Sequence, residues 1–257
     1  MSACSGWSGV IIFRSTTFEL IIRQGISPMT SLRPKFDEFA AIAGKSQARC
    51  VPVFRQLTGD SLTPVSAFSR IERSAPSFLF ESVVGGEKVG RFSFLGTEPF
   101  LRFEARGMEV VVSSTKDPEA NRSYTSKDPL ADLQELVERY RAVHLPGLPR
   151  FAGGAVGYAA YDAVRYTENL PNPPCDDRVL PDLSFSFFDR MVIFDHIRKT
   201  ILVVAHAHLE PGGDLRQAYD RAVGRVDELV NRLSKPGDEM PLKDLSTDEA
   251  LKAIPQS

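Results

Sequence analysis

The sequence has little cysteine and no strong excess of charge of either sign. Its three cysteines, Cys4, Cys50 and Cys175, are odd in number, widely spaced and without a C-x-x-C pair. This pattern argues against both a disulfide framework and a zinc site, and it favours a cytoplasmic location. The formal net charge is only -2. The composition therefore does not favour nucleic acid or an anionic membrane surface as a partner, and a small molecule or another protein is the better expectation.

Long apolar runs are also missing, because no stretch approaches the ~20 residues that a membrane span needs. The run at 9–13 is interrupted by Arg14 and lacks the flanking pattern of a secretory signal. Residues 1–28 differ in character from the rest of the chain, so we predict a non-structural extension there and a translation start at Met29. We predict a folded domain over 29–233, and a linker or disordered tail over 234–257, where proline, glycine and charge are frequent.

The first half of the chain predicts strand pairs with helices between them. Residues 51–57 predict a strand whose Pro52 places it at a sheet edge. Thr63 and Pro64 predict a helix start. Residues 78–96 predict a hairpin, and with 100–104 and 108–112 they predict a meander of four strands.

The second half predicts a polar loop over 115–127 and then a helix, which begins behind Asp128 and carries an apolar stripe to residue 143. Strands are predicted at 183–188, 191–194 and 200–207, followed by an amphipathic helix at 215–233. Strand pairs with dispersed helices, rather than regular strand-helix alternation, favour an α+β fold of antiparallel sheets with helices packed on the outside.

Three polar side chains in the predicted hairpin are candidates for a binding site: Glu81, Ser82 and Arg91. A carboxylate suits an ammonium group, a hydroxyl gives orientation, and a guanidinium binds a carboxylate through two hydrogen bonds, so the three together suit a free amino acid. A plain cross-strand pair of Glu81 with Arg91 is the simpler alternative. Strict alternation places Glu81 and Ser82 on opposite faces, so joint binding requires a bulge or a strand end near residues 83–85.

Other motifs favour structural interpretations. The run 153–157, GGAVG, lacks the Lys-Ser/Thr ending of a phosphate loop, and we predict that its small residues allow close approach of a backbone or a ring, such as Tyr158 or Tyr161. His206 and His208 share a strand face, but without a third ligand we predict a solvated edge. Acidic residues 176 and 177 lie in a proline-rich loop as turn formers. We predict no catalytic residue and no metal ligand in this chain.

Several short motifs, taken in order, resemble the N-terminal region of anthranilate synthase component I. They are Phe80-Glu81-Ser82, the run GRFSFLG at 90–96, GGAVGY at 153–158 followed by Tyr161-Asp162, and Pro181-Asp182 leading to Asp189-Arg190. The resemblance covers residues 50–233. The closely related aminodeoxychorismate synthase component I of folate synthesis shares much of this region and stays an alternative, as does a stand-alone amino-acid-binding module.

The resemblance implies an enzyme that converts chorismate and ammonia into anthranilate and pyruvate with Mg2+, in tryptophan biosynthesis. A glutamine amidotransferase subunit, component II, would deliver the ammonia. The resemblance also implies feedback inhibition by L-tryptophan, with Glu81, Ser82 and Arg91 as its ligands. Members of the family continue into a chorismate-binding half that carries the metal ligands. We therefore expect this chain to be the regulatory portion, without a cofactor of its own, inactive alone and working with a separate chorismate-binding chain.

Overall fold

A computed structural model describes residues 32–46, 49–59, 61–73, 76–81, 90–115, 119, 121–171 and 179–235. The predictions for the extension at 1–28, for the start at Met29, for Ser82, for residues 176 and 177 and for the tail beyond residue 235 lie outside these residues. Ten strands in two antiparallel sheets, four α-helices and a 3-10 helix at Tyr161–Tyr166 make up the described fold. The predicted α+β class is confirmed.

The first sheet has the strand order β1-β10-β9-β3-β2. Its strands are β1 (Cys50–Thr58), β2 (Phe78–Glu81), β3 (Phe92–Gly96), β9 (Arg190–Asp195) and β10 (Thr200–His208). β1 lies at one edge, as Pro52 predicts, because a proline cannot donate a hydrogen bond to a second neighbour. At the other edge β2 pairs with β3, and Glu81 lies opposite Ser93.

The second sheet has the strand order β6-β5-β4-β8-β7. Its strands are β4 (Leu101–Arg106), β5 (Glu109–Ser114), β6 (Arg122–Thr125), β7 (Gly154–Ala159) and β8 (Leu183–Phe188). The edge strand β6 lies inside the stretch predicted to be loop, so that prediction is wrong at 122–125. Three of the four side chains of β6 are exposed. Its sequence therefore lacks the alternation of apolar and polar residues that predicts a strand.

The helices are α1 (Phe36–Lys45), α2 (Pro64–Ile71), α3 (Pro129–Arg139) and α4 (Leu215–Ser234). Both predicted caps are present, since Thr63 Oγ1 accepts from the Ser66 N–H at 3.1 Å and Asp128 Oδ1 accepts from the Ala131 N–H at 3.0 Å. α3 ends at Arg139, short of the predicted residue 143. Beyond it the chain joins β1 instead, where the Val143 N–H donates to the Cys50 carbonyl at 3.0 Å.

Three apolar clusters hold these layers together. Helices α1, α2 and α4 pack on one face of the first sheet around Phe39, Val203 and Val226. The opposite face of that sheet packs against Phe188 and Leu148, and helix α3 packs on the second sheet through Leu136. The helices therefore pack on one face of each of the two sheets.

The predicted meander of four consecutive strands is wrong in its connectivity. β2 and β3 belong to the first sheet, whereas β4 and β5 belong to the second. β3 pairs with β9, and β4 pairs with β8, so each hairpin finds its further neighbour in the distant part of the chain. Local patterning identifies the strands but carries no information on these long-range pairings.

Candidate functional site

A cleft of about 530 Å3 lies between the edge strands of the two sheets. Its lining comes from β2 and β3 on one side, β7 and β8 on the other, and Phe151 between them. Five phenylalanines dominate its walls: Phe80, Phe92, Phe94, Phe151 and Phe185. The volume is in the range of small-molecule sites, and aromatic walls suit a ligand with a flat apolar body. We call this the aromatic cleft.

The aromatic walls are preformed by contacts between the rings. The rings of Phe92 and Phe94 lie 5.9 Å apart on one face of β3, and Phe94 meets Phe151 edge to face at 5.4 Å. Phe80, directly opposite Phe94 in the β2–β3 pair, is half exposed. An exposed phenylalanine at the mouth of an apolar cleft leaves surface that a ligand can cover.

Among the described residues that line the cleft, Glu81 is the acidic one. It is exposed, and within the described residues it makes no hydrogen bond or ion pair, so its carboxylate is available to a cationic group. The simple cross-strand pair with Arg91 does not form, because Glu81 lies opposite Ser93 and Arg91 binds elsewhere. Ser93 is itself engaged, with its hydroxyl 2.7 Å from His196 Nε2.

Arg91 is directed to Asp195 at the end of β9. Its Nη2 donates to Asp195 Oδ2 at 3.0 Å, and its guanidinium lies 4.7 Å from the centre of the Phe92 ring. Arg91 is not among the described residues that line the cleft. Its side chain is 46% exposed, so guanidinium N–H groups beyond the one on Asp195 face solvent. The structure thus places Glu81 at the cleft and Arg91 beside it, and Ser82 falls outside the described residues.

The glycine-rich run forms β7, as its structural interpretation predicts, and two of its glycines allow close approaches. A Cβ on Gly157 would lie 1.9 Å from the Ser184 carbonyl oxygen, so β8 fits against β7 only if this residue is glycine. A Cβ on Gly153 would lie 2.2 Å from the His206 ring. The approaching ring is therefore a histidine, and not Tyr158 or Tyr161, which are both exposed.

The prediction of a solvated edge for His206 and His208 is wrong. They lie on β10, between β1 and β9, and His206 is 4% exposed, with Nε2 2.9 Å from the Ala152 carbonyl oxygen. Burial lowers the pKa of His206 to about 4, so the ring is neutral at neutral pH. His208 Nε2 lies 3.1 Å from Asp189 Oδ2. No cluster suited to a metal ion occurs among the residues that the structure describes.

The sequence reasoning identified Glu81 but missed the aromatic walls. Alternation along β3 places Phe92 and Phe94 on one face, which was a signal available in the sequence. The contributions of Phe151 and Phe185 had no such signal, because they reach the cleft through the pairing of β7 with β8 and the packing of the two sheets.

A family model described as "chorismate binding enzyme" matches residues 77–250. This stretch is most of the chain and includes nine of its ten described strands. The chain belongs to the chorismate binding enzyme family. The match does not confirm the expectation that the chain lacks the chorismate-binding half, because the family model describes chorismate binding enzymes. That expectation stays a prediction.

The chain is similar to several anthranilate synthases. It is 36% identical to anthranilate synthase component 1 of Acetivibrio thermocellus over 196 residues, which is 76% of this chain and 38% of the relative. It is 37% identical to anthranilate synthase component 1 of Synechocystis sp. over 211 residues, 80% of this chain and 40% of the relative. The predicted resemblance to component I is confirmed.

A crystal structure of anthranilate synthase component I from Streptococcus pneumoniae TIGR4 aligns over 71% of this chain and 37% of its own, with a TM-score of 0.47 and 23% identity. This chain spans about two fifths of the length of the curated relatives that it matches. Within the described residues, no helix is both long and apolar enough to cross a membrane.

Proposed function

We propose that this chain is the tryptophan-binding, regulatory portion of an anthranilate synthase component I. The whole enzyme would convert chorismate and ammonia, or glutamine, into anthranilate and pyruvate in tryptophan biosynthesis. Its partners would be a glutamine amidotransferase component and a chorismate-binding portion that lies outside this chain. The activity would be controlled by feedback inhibition through L-tryptophan, and the protein would work in the cytoplasm.

The observation that carries this proposal is the aromatic cleft with a single acidic group in its described lining. An indole ring would replace water against the phenylalanine walls, and its burial is favourable in proportion to the apolar area removed from water. The α-ammonium of the amino acid would pair with Glu81, a charge-assisted hydrogen bond stronger than a neutral one.

The α-carboxylate of tryptophan would be bound by the Ser82 hydroxyl and by Arg91. Arg91 already donates one N–H to Asp195, so it would serve the ligand with its remaining donors and would be held in place by Asp195. Because one of its N–H groups is already used by Asp195, we expect Arg91 to contribute the least binding free energy of the three proposed ligands. Glu81 has direct support as a ligand, because it is the one of the three that is found among the described residues lining the cleft.

Magnesium would belong to the chemistry of the whole enzyme. No group of three or more histidine, cysteine or acidic residues able to hold a metal ion occurs in the described part of this chain. The described residues do not fit a magnesium site.

Isothermal titration calorimetry of the purified chain with L-tryptophan tests the proposal. We expect saturable binding, and we expect Glu81→Gln to weaken it at least about tenfold, because the ammonium loses its charged partner. Ser82→Ala should weaken it less, since a neutral hydrogen bond contributes about 1 kcal/mol. L-Phenylalanine and L-leucine, titrated in parallel, test whether the cleft selects the indole ring.

The matched control is Glu109→Gln, which removes an exposed carboxylate of β5 that bonds Thr125 and does not line the cleft. It should leave the tryptophan affinity unchanged. Absence of tryptophan binding to a folded chain would refute the tryptophan-binding role. Equal losses in the Glu81 and Glu109 variants would show that the effect is one of net charge and not of this site.

A further inference from the structure

A second cavity, of about 460 Å3, is lined by none of the residues that line the aromatic cleft. It is bounded by the end of α3, by residues 209–211 after β10 and by α4. Four arginines line it: Arg49, Arg139, Arg221 and Arg225. The backbone holds its parts together, since the Leu209 N–H donates to the Arg49 carbonyl at 2.6 Å. We call this the arginine pocket.

The arginine pocket carries more positive charge than its own acids neutralise. Arg225 binds Asp189, whose side chain is fully buried, and Arg139 lies 3.8 Å from Glu135. Arg221 donates to the neutral amide of Gln217 at 2.8 Å. Among the described residues neither Arg49 nor Arg221 has an ion-pair partner.

Glu210 supplies the acidic group of the pocket lining, and Asp189 at its base is already shared between Arg225 and His208. Guanidinium groups that converge on a concavity raise the local potential and favour anions. Their planar N–H pairs match the oxygens of phosphate and carboxylate groups.

The pocket also has an apolar wall for the body of a ligand. The Phe100 and Tyr140 rings meet edge to face at 4.9 Å, and Phe100 meets the His208 ring at the same distance. The His208 nitrogens face Cys50 and Asp189 and so are occupied within the protein. The arginines are therefore the groups that can bind an anionic ligand in this pocket.

We propose that the arginine pocket binds a small multivalent oxyanion, of phosphate or polycarboxylate chemistry, at a site separate from the aromatic cleft. Arg49 and Arg221 contact the oxyanion directly, and Arg139 adds to the field. Arg225 braces the floor through Asp189. This binding does not depend on the proposed tryptophan site, because the two cavities share no lining residue.

Calorimetric titration of the full chain with inorganic pyrophosphate, and separately with citrate, at low ionic strength tests the proposal and distinguishes the two chemistries. We expect saturable binding of at least one of them. The double variant Arg49→Gln/Arg221→Gln should weaken it at least about tenfold. Glu210→Gln should strengthen it severalfold, because it removes the carboxylate that competes with the anion.

The matched control is Arg122→Gln/Arg216→Gln, which removes the same charge from β6 and from the start of α4, outside the pocket lining. It should change the affinity less than twofold. The strengthening by Glu210→Gln cannot arise from misfolding, so it supports the site even if the double variant is unstable. Failure of both anions to saturate the wild type, equal losses in pocket and control variants, or weaker binding by Glu210→Gln would each overturn the proposal.

Discussion

At the scale of single residues, Asp195 organises the turn between β9 and β10. It is 4% exposed, accepts from Arg91 at 3.0 Å, and accepts from the N–H groups of Ile197 and Arg198 at 3.1 Å each. Burial alone would raise the pKa of Asp195, but the hydrogen bonds from Arg91 and from the two backbone N–H groups lower it below its ordinary value. Asp195 is therefore charged in the folded protein.

We expect Asp195→Asn to lower the free energy of unfolding at pH 7 by about 2 kcal/mol, the scale of hydrogen bonds to a charged group. The folded pKa lies below the unfolded one of about 3.9, so this stabilisation is present above pH 4 and is lost as the pH falls through the folded pKa. Urea denaturation at pH 7 and pH 3 should show the gap between wild type and variant narrowing in acid.

Asp220→Asn is the control for Asp195→Asn, because Asp220 pairs with Arg216 on an exposed face of α4. Its cost should stay below about 0.5 kcal/mol, as for other surface ion pairs. A gap for Asp195→Asn that is the same at both pH values would contradict the assignment of the pKa shift to this residue.

Cys50 has neighbours in an order that resembles a catalytic triad, but it is a core residue. Its Sγ lies 3.7 Å from His208 Nδ1, and His208 Nε2 lies 3.1 Å from Asp189. Burial, and then the nearby Asp189, raise the pKa of the Cys50 thiol to about 12. The thiol is 1% exposed and stays protonated at neutral pH, so it is not a nucleophile.

At the scale of the elements, the pairing of β7 with β8 depends on one glycine. We expect Gly157→Ala to lower the free energy of unfolding by about 1–3 kcal/mol, because its Cβ would meet backbone atoms of Ser184 and Phe185 that cannot move aside singly. Both strands line the aromatic cleft, so tryptophan binding should weaken in the same variant. Thermal denaturation and calorimetry measure the two effects.

Gly44→Ala is the matched control, since it makes the same substitution in α1 where a Cβ would have nothing within 4 Å. Alanine in a helix is favoured over glycine by about 0.5–1 kcal/mol, so the control should be neutral or stabilising. A loss of stability at residue 44 as large as that at 157 would contradict the steric explanation.

How far the sequence predicts this fold depends on the range of the interaction. The caps at Thr63 and Asp128 and the stripe of α4 are local, and the structure agrees with them. The position at which α3 ends depends on a long-range contact, because residues 142–143 leave the helical conformation and pair with Cys50 of β1. The burial of His206 is likewise decided by its place in the centre of the sheet and by Gly153, far away in sequence.

The candidate site divides in the same way. The chemistry of Glu81 was visible in the sequence because a carboxylate interrupts an apolar strand. The partner of Arg91 was not visible in the sequence, because Asp195 lies near Arg91 only through the pairing of β3 with β9. The roles of Glu81, Ser82 and Arg91 as tryptophan ligands stay predictions for the binding experiments.

At the scale of the whole molecule, we expect the chain alone to form no anthranilate from chorismate, ammonium and Mg2+. The reason is the proposed regulatory role, in which the chorismate-binding portion of the enzyme lies outside this chain. Anthranilate fluorescence measures the outcome, and adding a separately expressed chorismate-binding portion of a relative should restore activity. Anthranilate production by the unaided chain would contradict the assignment of a purely regulatory role.

The two sheets are joined at β8 and β9 by a single intervening residue, Asp189. Its carbonyl accepts from the His206 N–H at 2.7 Å, and its carboxylate is bound by Arg225 of α4. With one residue between them, β8 and β9 stay close to each other, and the bond from Arg225 fastens α4 to the point where one sheet passes into the other.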